Sequence, residues 1–136
     1  MNNTLFVGEM PSTENPGPPL GGRCGERLGS LLGVSCRDFL THYRRVNLIA
    51  VKHDSFPRAA AALTAATLPL DDVTGLVLCG RNVARAFGIV DATFLAVVTV
   101  RQLPALLLPH PSTRCRWWND RRNVAAAAAA LQAFVT

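Results

Sequence analysis

Five short apolar runs, each stopped by a glycine, a proline or a charged residue, constrain this chain more than any other feature. They occupy 5–7, 46–51, 75–79, 94–100 and 105–108. Runs this short between turn residues read as buried strands, with 94–100 either a strand or part of a hairpin. Helical patterns lie between them. Leu28, Leu31 and Leu32 recur at helical spacing over 25–32. Pro57 opens an alanine-rich stretch, as proline suits a first helical turn. A short helix is expected over 82–87, ended by Gly88, and an alanine-rich one over about 120–134. Strands alternating with helices indicate an α/β domain with a mainly parallel sheet and helices on both faces. Ligands in such sheets bind at the carboxyl ends of the strands. Glu9 follows the first run, Asn47 lies in the second, and His110 follows the last.

Composition narrows the classes. Of 136 residues, 49% are hydrophobic and 17% charged, which is ample apolar surface to offset the entropy of ordering. The apolar stretches break well before the roughly 20 residues a bilayer span needs. Met1-Asn2-Asn3-Thr4 has no basic n-region and no apolar core, so no secretory signal is read and a cytoplasmic location is expected. The net charge is +5, and Lys52 is the only lysine, so the positive charge is nearly all arginine. Arginine suits bidentate phosphate contacts, although a basic excess alone fits a merely arginine-rich surface equally well. Cys24, Cys36, Cys79 and Cys115 are scattered, with no CxxC pair. Clustered metal ligation and disulfides are therefore not expected; these read as free thiols.

Two segments carry chemistry. The loop over 9–22 is too rich in proline and glycine for regular structure, and a long loop in a compact domain is usually functional. It lacks GxxxxGK[ST], which excludes an ATP-binding P-loop. Its glycines would let a sugar–phosphate chain approach closely, and the plainer reading is a surface loop with Glu9 exposed. The second segment is Pro109-His110-Pro111-Ser112, in which the flanking prolines stiffen the backbone around the histidine. Beyond it, Arg114, Arg116, Arg121 and Arg122 interleave with Trp117 and Trp118. Arginines for phosphates and tryptophans for bases suit a nucleic-acid surface, with one tryptophan expected to anchor the C-terminal helix.

In order along the chain stand Gly8-Glu9-Met10-Pro11-Ser12, Pro18-Pro19-Leu20-Gly21-Gly22-Arg23-Cys24-Gly25, Val46-Asn47 through Lys52, Leu78-Cys79-Gly80-Arg81, and Pro109-His110-Pro111-Ser112. This series resembles the uracil-DNA glycosylase superfamily, closest in pattern to the group whose better-known members carry an iron–sulfur cluster. The resemblance implies a three-layer α/β/α domain over 1–136 with a mainly parallel four-stranded sheet. It implies that Glu9 positions or activates the attacking water. Asn47 would read the Watson–Crick edge of a flipped base, and His110 would donate to the base carbonyl as negative charge develops. Ser112 would lie near a DNA phosphate. Leu20 stands where the family usually has a phenylalanine stacked on the base, and the cluster cysteines are absent.

The function implied is removal of uracil or a modified pyrimidine from DNA by cleavage of the N-glycosidic bond, with no metal and no cofactor. A phage-type transferase that modifies a base in the same pocket, or a non-catalytic DNA-binding module, are the alternatives. DNA is the expected partner, Arg114 and Arg116 among its contacts, and the protein is expected to act as a monomer.

Overall fold

The computed structural model describes residues 3–12 and 17–136. Met1-Asn2 of the N-terminal reading and Pro16 of the Pro/Gly loop lie outside the described residues. In chain order the elements are β1 (Thr4–Gly8), α1 (Gly22–Leu32), α2 (Cys36–His42), β2 (Arg44–Asn47), α3 (Arg58–Thr67), β3 (Gly75–Cys79), α4 (Arg81–Ala86), β4 (Val97–Val100), β5 (Leu103–Leu108) and α5 (Arg121–Val135). A 3-10 turn over Arg116–Asn119 precedes α5.

The strands form one sheet in the order β2-β1-β3-β5-β4. The first four run parallel, and β4 pairs antiparallel with β5. This is an α/β fold with a mixed, mostly parallel sheet flanked by helices. The expected four strands become five because 97–100 folds back on β5 as an edge strand. The turn between them is Arg101-Gln102, with φ of 48° and 68°. Positive φ at both central residues gives a two-residue hairpin the twist its strands need. Neither residue favours that conformation, and the Arg101 side chain supplies a compensation. Its guanidinium donates to the carbonyls of Ala65 (2.9 Å) and Leu68 (2.6 Å). Those carbonyls close the C-terminal end of α3, where the helix dipole favours a cation.

The inner strands are buried on both faces. Leu5, Val7, Leu76, Leu78 and Leu107 pack against α3 and α4 through Ala61, Ala65 and Val83. Their neighbours Phe6, Val77, Leu106 and Leu108 pack against α1, α2 and α5 through Leu28, Phe39 and Leu131. A strand buried on both faces reads as an unbroken apolar run, which is why β1, β3 and β5 stand out in the sequence.

The second strand is a correction: it spans 44–47, not 46–51. It is an edge strand, and edges carry charge without loss. Arg44 meets Asp72 at 2.9 Å, both side chains well exposed, so that pair contributes little to stability. Beyond Asn47 the chain leaves the sheet, while the N–H groups of Leu48 and Ile49 still donate to the carbonyls of Gly8 and Glu9, each at 3.0 Å. The sequence reading also omitted α2, which Ser35 caps by accepting from the Asp38 N–H at 3.0 Å, and it began α1 three residues late.

Arg45 ties the Pro/Gly loop to this edge. Its guanidinium donates to the carbonyls of Tyr43 (3.2 Å), Pro19 (2.9 Å) and Leu40 (2.7 Å). Arg45→Met should keep the stem's packing and remove all three bonds. Hydrogen bonds to a charged group contribute about 1.5–3 kcal/mol each at most, and they share one side chain here. The variant should lose about 2 kcal/mol, seen as a lower urea midpoint with an unchanged m-value. An unaltered midpoint would show that the loop is held by other contacts.

Among the described residues, no helix is long and apolar enough to cross a membrane.

Candidate functional site

Four parallel strands deliver their carboxyl ends to one edge of the sheet. The strand order sets Asn47 at the end of β2, Gly8-Glu9 at the end of β1, Gly80 after β3 and His110 after β5 in a row. At about 4.8 Å between neighbouring strands, that row is roughly 14 Å long.

Glycine is required twice along it. A Cβ on Gly8 would lie 2.6 Å from Asn47 Oδ1 and 2.7 Å from Leu20 Cδ2. The bare backbone at Gly8 therefore lets Asn47 and Leu20 close over the end of β1. Gly80 has φ 110° and ψ 161°, a region essentially reserved for glycine. A Cβ there would lie 3.3 Å from Glu9 Oε2 and 3.5 Å from His110 Cδ2. Glu9 and His110, 101 positions apart in the chain, thus both stand against Gly80.

Each of these two side chains is oriented. Asn82 Nδ2 donates to Glu9 Oε2 at 3.4 Å. The Ser112 N–H donates to His110 Nδ1 at 3.3 Å. An accepting Nδ1 leaves Nε2 as the protonated nitrogen of the neutral ring, and hence its donor. The histidine's own carbonyl accepts from Trp118 Nε1 at 2.8 Å, and the Gly80 N–H donates to the Leu108 carbonyl at 2.8 Å. The floor of the site is therefore fixed from both sides.

Above this floor is an open cleft of about 600 Å³. Glu9 and His110 line it together with Phe94 and Trp117, whose rings meet edge to face at 6.0 Å. Arg81 also lines the cleft and holds its guanidinium 4.6 Å from the centre of the Phe94 ring. Arg85 and Cys115 complete the rim. Behind the floor, burial pushes the Cys24 and Cys79 thiols up. Cys24 is pushed further by the Glu9 carboxylate, and Cys79 by Cys24 and then Glu9. Both stay protonated thiols at neutral pH, so neither is an activated nucleophile.

The expected site residues separate into groups. Glu9 and His110 share the cleft. Asn47 stands at the same sheet edge, beyond β1 and outside the cleft's lining. Leu20 is only 7% exposed, packs with Phe6 and Leu28, and has φ 55°. Its side chain lies over Gly8 beside Asn47, outside the cleft's lining. Ser112 is half-buried and gives its N–H to His110. Arg114 and Arg116 are exposed on either side of Cys115. Arg122 folds back on Asp120, the residue that caps α5.

One tryptophan anchors the C-terminal helix, as expected. Trp118 is 4% exposed and packs into the core beside α5, with Arg27 4.8 Å from its ring centre. Trp117 lines the cleft, and Asn123 of α5 holds its carbonyl at 3.0 Å.

Asn82, Arg81, Arg85 and Phe94 were not singled out as site residues from the sequence. Only the position of Arg81 and Asn82 directly after a glycine-terminated strand could have pointed to them. Among the described residues, no group of three or more His, Cys, Asp or Glu is placed to hold a metal ion.

Such an arrangement can hold a planar group against a ring, neutralise an anion at its rim, and present a carboxylate and an imidazole N–H to one bound molecule. In comparisons with known proteins, no protein-family model and no curated protein matches the chain.

Proposed function

We propose that the chain acts on a base in DNA, with the fold and chemistry of the uracil-DNA glycosylase superfamily, and hydrolyses the N-glycosidic bond of uracil or a modified pyrimidine. The observation that carries this reading is that Glu9 and His110 both stand against Gly80 and line one cleft with Phe94, Trp117, Arg81 and Arg85.

The target base leaves the stack at a cost of a few kcal/mol. Trp117 and Phe94 offer the aromatic wall that position 20 lacks, and base–ring stacking offsets part of that cost. As the bond between the sugar carbon and the base nitrogen breaks, its electron pair goes to the base. His110 Nε2–H donates to the base oxygen that gains negative charge, a donor already in place before the reaction starts. The Glu9 carboxylate faces the positive charge on the sugar and orients the water that adds to it. Asn47 carries both an acceptor and donors, which suits the edge of a pyrimidine; from its place beyond β1, outside the cleft's lining, it would meet that edge only where the base extends over Gly8.

The size of the cleft favours a second reading in the same site, transfer of a group onto a thymine-derived base. About 600 Å³ is the scale of a drug-sized ligand and more than one pyrimidine ring fills.

Incubation with single- and double-stranded DNA containing uracil or 5-hydroxymethyluracil, followed by nucleoside mass spectrometry, tests both. Free base and abasic sites are expected for hydrolysis. A mass gain on the base would replace hydrolysis with transfer, and binding without any product would leave a DNA-binding module.

Asn82 is a positioning residue in this scheme. Asn82→Ala removes one hydrogen bond to the carboxylate, a long one at 3.4 Å. A bond to a charged group at the weak end of its range corresponds to about a tenfold loss of turnover. The loss should fall on kcat, with KM and DNA affinity close to wild type, as expected for a group that orients the carboxylate without touching DNA. Unchanged kcat would remove Asn82 from the scheme.

A further inference from the structure

A second hollow, of about 310 Å³, lies between α3 and α4. Its apolar lining includes Phe56, Ala62 and Ala86, and its polar groups are Arg58, Asn82 and Arg85. Asn82 and Arg85 also line the main cleft, so the two spaces adjoin.

The charges here are one-sided. No carboxylate lines the hollow. Among the described residues the ion pairs are Arg44 with Asp72 and Arg122 with Asp120, and neither Arg58 nor Arg85 takes part in one. Both arginines are exposed. The alanine side chains of α3 and α4 leave the space shallow and without bulk. A shallow channel with two guanidinium groups and no acid fits a bridging anion such as a phosphodiester, which arginine can grip with two parallel N–H groups.

Position supplies the rest of the argument. The segment of Arg114 and Arg116 packs through Cys115, Trp117 and Trp118 with the layer of α1, α2 and α5, while Arg58 and Arg85 belong to the α3–α4 layer on the other face of the sheet. Glu9 and His110 follow strands of the sheet that separates these layers. We infer that the hollow between α3 and α4 holds a phosphodiester of the DNA strand that carries the target base, on the side of that base away from Arg114. This inference rests on the proposed action on DNA. It places half of the backbone contact on Arg58 and Arg85, which belong to no arginine-rich run in the sequence, and not on Arg121 and Arg122 at the start of α5.

The test is the salt dependence of binding to a single-stranded oligonucleotide with a central uracil. It compares wild type with Arg58→Ala, Arg85→Ala, Arg58→Lys and Arg114→Ala. Each lost phosphate contact should flatten the slope of log K against log salt by about 0.7 on a single strand. Arg58→Ala and Arg85→Ala should each show that change, and Arg58→Lys should keep the wild-type slope. Shortening the oligonucleotide on one side of the uracil should abolish the difference between wild type and Arg58→Ala. Shortening it on the other side should abolish the difference for Arg114→Ala.

Wild-type slopes for Arg58→Ala and Arg85→Ala beside a flattened slope for Arg114→Ala would overturn the inference and leave the proposed function standing. Equal sensitivity of both arginine groups to the same truncation would overturn the assignment of sides. A wild-type protein without salt-dependent DNA binding would end both the inference and the reading beneath it.

Discussion

Replacing His110 with alanine is expected to lower turnover on a DNA base by about 100-fold or more, with DNA affinity nearly unchanged. The size follows from what the ring supplies. A donor aimed at an oxygen that becomes negative only during bond cleavage contributes to the transition state and little to the bound ground state. The orientation of that donor is set by the Ser112 N–H on Nδ1 and by Trp118 on the histidine's carbonyl. Single-turnover kinetics beside equilibrium binding separate the two effects. A proportional loss of affinity would recast His110 as a binding residue, and unchanged turnover would exclude it from the chemistry.

Gly80→Ala should damage both stability and turnover. The alanine would have to adopt φ 110° with ψ 161°, a conformation that costs a residue with a Cβ about 1–3 kcal/mol. Its methyl group would also sit 3.3 Å from Glu9 Oε2, close enough to push that carboxylate by a few tenths of an ångström, and in ordinary contact with His110 Cβ at 3.4 Å. Displacing reacting groups by about 1 Å can cost 100-fold in rate. Turnover per folded molecule should therefore fall, by less than that, in addition to the drop in the urea midpoint. Wild-type turnover in a folded Gly80→Ala protein would show that the placement of Glu9 and His110 against Gly80 does not matter to activity.

The two halves of this site were not equally readable. Glu9 and His110 stand out because each follows a strand that ends abruptly, at Gly8 and at Leu108-Pro109, and a parallel sheet collects such ends on one edge. Asn82 shares that signal only through Gly80, which ends β3, and Arg85 has none; both lie on a six-residue helix whose sequence says nothing about what its side chains reach. Phe94 looked like the start of a strand, yet it precedes β4 and turns its ring toward Arg81 and Trp117. Leu20 shows the limit most clearly. A resemblance can align a residue with a role, but the direction of its side chain depends on a φ of 55° that no neighbouring residue announces.

Local pattern alone determined the inner strands and most of the long helices. β1, β3 and β5 are buried on both faces, so continuous apolarity marks them without ambiguity, and the alanine run of α5 is a strong helix former under any packing. Tertiary structure alone decided what depends on partners distant in the chain. It set Arg44 and Arg45 in an edge strand, because one meets Asp72 and the other meets carbonyls at Pro19 and Leu40. It made β4 a hairpin partner of β5, through a turn whose Arg101 is held by the end of α3. It also set Glu9 and His110 against Gly80. The physical reason is the same in each case: burial and backbone propensity act over a few neighbouring residues, whereas a charged side chain or a glycine with unusual φ acquires its meaning only from what the fold sets beside it.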